Sequence, residues 1–106
     1  MAWACLLAAG VLEVVWSFTM KRSDGFTRLQ PTVVTIVAMI ASFGLLAFAM
    51  KSLPLGTAYT VWTGIGAVGA FVLGVVVLGE PLSSARVLAA TLILSGLILM
   101  KFSGAE

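Results

Sequence analysis

Glu13 is a carboxylic acid inside a run that is otherwise uncharged from Met1 to Met20, in a chain with no histidine and no basic residue nearer than Lys21. Helical spacing puts Gly10, Glu13 and Ser17 on one face, with Trp16 beside them at i+3. Gly10 lets a backbone or ligand approach, and the Trp16 indole N–H is a donor that can orient the carboxylate. A carboxyl group in such surroundings either binds a proton or cation, or stays protonated and joins two helices by hydrogen bonding. Ionisable groups inside apolar spans usually face a bundle interior and carry function, so the first reading is preferred.

Further along, Tyr59, Trp62, Gly66 and Gly69 form one helical stripe with Thr63 at its side. Tyr59 and Trp62 offer an amphipathic rim and a π face to a cation; packing is their alternative role. Gly64 and Gly66 are either close-packing positions or a hinge. Thr35, Ser42 and Ala49 recur every seven residues; the Ser42 hydroxyl is expected to bond its own helix at i−4 or the Glu13 carboxylate. Ala89, Ser95 and Gly96 are small residues suited to a helix contact between subunits. Asp24, Glu80 and Arg86 read as turn or solvated loop charges.

There is no nucleophile and base pairing, no nucleotide loop and no metal set, so neither catalysis nor a cofactor is expected. The single Cys5 excludes an intramolecular disulfide.

The elements that hold these residues follow from composition. The 106 residues are 61% hydrophobic and 9% charged, with a mean hydropathy of +1.19, far from the soluble range of about 45–50% apolar and about 25% charged. The chain is expected to be an all-α integral membrane protein. Its net charge of +2 comes from scattered residues, which makes nucleic acid an unsuitable partner.

A bilayer core needs about 20 apolar residues per helix, and charged or turn-forming residues punctuate the sequence at that interval. The expected spans are 2–20, 32–50, 57–78 and 85–100, forming one four-helix domain over 1–106. Asp24-Gly25 marks the first turn, Pro31 the opening of the second helix, and Ser83 or Ser84 the cap of the fourth. The first stretch lacks a basic region and a cleavage site and reads as a retained helix rather than a signal peptide.

The first and third connections carry Lys21, Arg22, Arg28 and Arg86, against Lys51 and Lys101 opposite, a weak positive-inside bias. No internal repeat is visible, although many transporters rock inverted repeats around a midplane site. An inverted second copy would supply the missing half. Burial and a like-charged neighbour both favour a neutral carboxylic acid, so two such acids could exchange protons for a cation. Guanidinium suits them: it is planar, stays charged, forms paired hydrogen bonds with carboxylates and stacks on aromatic faces. Other small or lipophilic cations satisfy the same chemistry.

The stretches GVLEVVWSFTMKRSDGFTRLQP, AMKSLPLGTAYTVWTGIGAVGA and the GE before the last span closely resemble the small multidrug resistance transporters, specifically their guanidinium exporter branch. The resemblance implies a dual-topology, antiparallel homodimer of four-helix subunits in the bacterial inner membrane, exchanging protons for cations. Within it Glu13 matches the essential carboxylate, Tyr59 and Trp62 the binding aromatics, and Gly64 to Gly66 the bend of the third helix. Trp16 and WTGIGAVGA match the guanidinium branch, and Ser42 its hydroxyl partner of the acid. Ala89 with Ser95-Gly96 matches the dimer contact, with Ala where some members have Gly. The expected function is proton-coupled export of guanidinium. The alternatives are broad export of quaternary ammonium or other lipophilic cations, and a non-transporting accessory subunit in which Glu13 only joins helices.

Overall fold

The computed structural model describes residues 1–103. Four helices follow one another: α1 (Ala2–Arg22), α2 (Leu29–Ala49), α3 (Leu55–Val76) and α4 (Ser84–Phe102). All four are long and apolar enough to cross a membrane. With the backbone groups of each helix interior bonded within that helix, such segments satisfy the demand of a hydrocarbon core.

Local chemistry sets the helix ends. After α1, Asp24, Gly25 and Phe26 all take positive φ, and buried Ser23 holds the turn. Its Oγ accepts from the Phe26 N–H at 3.0 Å and donates to the Met20 carbonyl at 2.7 Å. Helix α2 starts at Leu29, before the expected Pro31; proline is harmless there because the first helical N–H groups have no intrahelical acceptor. Helix α3 ends at Val76 rather than Leu78. Gly79 turns the chain at φ +70, and the Glu80 N–H returns to the Gly74 carbonyl at 2.9 Å. Ser83 caps α4, its Oγ accepting from the Arg86 N–H at 3.2 Å, and α4 runs on to Phe102.

The helices form a slab of 41 × 34 × 16 Å. Helix α1 is central, packed on α2 and α3, while the α4 backbone packs on α3 and reaches α1 through side chains such as Lys101 over Trp3. The α1–α2 seam uses the heptad of small residues: Thr35, Ser42 and Ala49 are fully buried. Thr35 Oγ1 donates to the Pro31 carbonyl at 2.7 Å and lies 2.6 Å from Thr19 Oγ1. Leu6, Ala9, Leu46, Leu53, Val61 and Trp62 close the core at one end. Helix α4 buries no residue at all.

Candidate functional site

Glu13 sits where α1 meets α3. The pairs Gly10–Ile65, Glu13–Gly66 and Val14–Gly69 are in contact, and their numbers rise together, so the two helices run in the same direction. Each glycine admits a side chain from the other helix. A methyl group at Gly66 would overlap the Glu13 carboxyl, so the acid lies directly on the α3 backbone. Glu13 Oε1 is buried and has no hydrogen-bond partner among the described residues. The Trp16 Nε1 one turn away is likewise buried and unpartnered, so the expected Trp16–Glu13 hydrogen bond is not formed.

Ser42 also differs from both expectations. Its Oγ donates to the Ala9 carbonyl at 2.7 Å and accepts from Trp62 Nε1 at 3.0 Å, reaching neither Glu13 nor its own helix. The cause is the small Ala9, which lets α2 approach the α1 backbone one turn before Glu13. In an α-helix that carbonyl also takes the N–H four residues on, here that of Glu13. Ser42 therefore ties together the α1 turn below the acid and the Trp62 indole.

The aromatics assemble into a wall from three helices. Trp16 meets Phe43 edge-on at 6.2 Å, Phe43 lies 5.7 Å from Trp62, and Trp62 lies 5.6 Å from Tyr59. Trp62 is buried, whereas Phe43 and Tyr59 are about half exposed at 47% and 52%. Phe43 was not among the residues singled out from sequence. Its signal was available: it is the residue after Ser42, and an aromatic beside a buried hydroxyl on a lipid-length helix is a candidate for the same cleft.

The other expected site residues divide between the Glu13 seat and neighbouring faces. Two residues along a helix turn through about 200°, so Gly64 and Gly66 face opposite ways: Gly64 receives Leu97 of α4, while Gly66 receives Glu13. Thr63 bonds the Tyr59 carbonyl at 2.9 Å and belongs to the α3–α4 groove with Gly96 and Leu97. Helix α3 is continuous through Gly64–Gly66, which act here as packing positions. Gly10 is filled by Ile65. The Ser17 hydroxyl donates to Val14 O at 3.0 Å and lines a cavity one turn beyond Glu13, away from the aromatics. Ala89, Ser95 and Gly96 are exposed, and nothing lies within 4 Å of a side chain built at Gly96.

The arrangement offers a carboxylate without a fixed partner and aromatic faces, which together suit a small cation. The family described as Small Multidrug Resistance protein matches residues 1–93. The protein named guanidinium exporter in Yersinia pestis is 59% identical over 103 residues, covering 97% of this chain and 99% of that protein. Its namesakes in Citrobacter freundii and Salmonella typhimurium strain LT2 are 55% and 54% identical, over 97% of this chain and 98% of theirs.

Proposed function

Because the chain belongs to the small multidrug resistance family, we propose that this multi-pass inner-membrane protein exports guanidinium in exchange for protons. The observation that carries this reading is the buried, unpartnered Glu13 oxygen on the α3 backbone at Gly66. Relatives named for guanidinium export, at 54–59% identity, supply the substrate.

Guanidinium cannot leave by losing its own proton, so its release depends on protonating the carboxylate that holds it. A planar cation with five or more N–H donors bonds a carboxylate in pairs and lies flat on an aromatic ring. Glu13 supplies the acceptor, Trp16, Trp62 and Tyr59 the faces, and Ser42 the tie that holds Trp62. Proton and cation then exclude each other at one site, which is sufficient to couple their opposite movements.

The working unit in this reading is an antiparallel homodimer in which both Glu13 side chains serve one cavity. A slab only 16 Å thick, an α4 without a buried residue and exposed Ala89, Ser95 and Gly96 leave a face for a second copy.

Guanidinium-driven proton flux in proteoliposomes tests the proposal, with Glu13→Gln beside the native protein. The amide keeps hydrogen bonding but cannot ionise, so flux is expected to vanish while assembly persists. Normal coupled uptake by Glu13→Gln would reduce Glu13 to helix glue. Transport of a bulky quaternary ammonium ion without guanidinium would move the protein to a multidrug role.

A further inference from the structure

A second carboxylate lies on the same helix seam as Glu13. Sequence alone placed Glu80 in a solvated loop, but the Gly79 turn and the Glu80 N–H bond to Gly74 fold it back onto the end of α3. Its carboxylate rests on Gly74, where a methyl group would overlap it. Gly66 and Gly74 are two turns apart on α3, about 12 Å at about 1.5 Å per residue. Glu13 and Glu80 thus occupy similar glycine seats about two turns apart along α3.

Between them opens a cavity of about 370 Å³ lined by Ser17, Lys21, Phe71, Glu80 and Arg86. Among the described residues neither base comes within 4.0 Å of the Glu80 carboxylate. Arg86 is engaged otherwise: its guanidinium lies 5.4 Å from the Phe71 ring centroid and donates to the Pro81 carbonyl at 3.2 Å. The protein's own guanidinium therefore occupies an aromatic face of this cavity. Lys21 and Ser17 line the cavity from α1, and Glu13 follows one turn further on the same stripe, at i, i−4 and i−8 from Lys21.

We propose that this cavity is an outer binding site for guanidinium-type cations, with Glu80 as acceptor and Phe71 as stacking face, feeding the Glu13 site. The inference rests on the export function proposed above. Lys21 and Arg86 keep the outer site weak, because two positive charges beside one carboxylate oppose a third. A staging site needs that weakness, since a cation held firmly there would not move on. Arg86 is a resident competitor for the same ring.

Two measurements on the full chain test this. In proteoliposomes, Glu80→Gln is expected to raise the KM for guanidinium about threefold, the scale of a part-solvated ion pair. Flux at saturation and proton coupling should be retained, unlike in Glu13→Gln. The KM difference should shrink at high ionic strength, as screening requires; an unchanged KM overturns the proposal. Independently of transport, ¹⁵N-guanidinium titrated into Glu13→Gln protein should show weak saturable binding that Glu13→Gln/Glu80→Gln lacks. Residual binding that is absent, or indifferent to Glu80, overturns it as well. A requirement for anionic lipid that disappears in Arg86→Gln, with Glu80→Gln silent, would give the cavity to a lipid headgroup instead. If the native protein moves no guanidinium, the export reading fails while the binding arm still judges Glu80.

Discussion

Ser42 joins two groups that the proposed transport chemistry needs in register, the α1 turn that carries Glu13 and the indole of Trp62. Removing its hydroxyl leaves the buried Trp62 N–H without an acceptor, which costs about 1–2 kcal/mol. Ser42→Ala is therefore expected to lower the midpoint of thermal unfolding in detergent and to shift tryptophan emission, with proton coupling through Glu13 intact. Trp62→Phe keeps an aromatic face but removes both the donor and part of the indole bulk at a buried position, so a cavity cost is expected to lower the midpoint further in the same unfolding measurement. Much of this cluster was legible: an acid in an apolar run, aromatics at helical spacing and a lone serine on a small-residue heptad. Its wiring was not. Whether Ser42 reaches a carboxylate, its own helix or a neighbouring carbonyl depends on how closely α2 approaches α1, and Ala9 decides that only once the helices pack.

At the scale of elements, α1 and α3 meet through an exchange of glycines for side chains. Gly66→Ala must displace the Glu13 carboxyl, whose end is flexible, rather than separate the helices. We expect guanidinium flux to fall about tenfold to a hundredfold, as small misplacements of a reacting group do, with helix content by circular dichroism unchanged. Gly44 has nothing within 4 Å of an added side chain, so Gly44→Ala is expected to leave flux as it was; a loss equal to that of Gly66→Ala would refute the contact argument. The two-residue offset between Gly64 and Gly66 shows what spacing can and cannot say. It puts them on opposite faces, but which face meets α1 and which meets α4 is set by packing.

For the whole molecule, four of the six basic residues rest over aromatic rings. Lys101 over Trp3, at 4.3 Å, is the tightest. Such pairs anchor helix ends at the interface while the cations reach toward water. The weak charge difference between the two sides leaves orientation easy to bias. Replacing Lys21, Arg22 and Arg28 with neutral residues, which leaves Arg86 against Lys51 and Lys101, is expected to fix one orientation and adding lysines beside the native three the other, read by labelling a terminal tag from each side. Each fixed variant should lose transport alone and regain it when both are made together. Undiminished transport by either one alone would rule out the antiparallel dimer. Gly96→Trp should weaken dimerisation in crosslinking, since Gly96 faces open space in the single chain.

Span number, helical class, membrane residence and the central acid were determined by the sequence alone. They depend on quantities local to the chain: runs of about 20 apolar residues, turn chemistry at Asp24-Gly25 and Ser83, and the cost of an isolated charge. Tertiary structure alone decided that Glu13 lies on Gly66, that Ser42 holds Trp62, that Phe43 joins the aromatic wall and that Glu80 folds back onto α3. These facts turn on rotation and depth of packing between helices. In a chain apolar on nearly every face, no hydrophobic stripe announces which side turns inward; small residues and the shapes that fit them settle it.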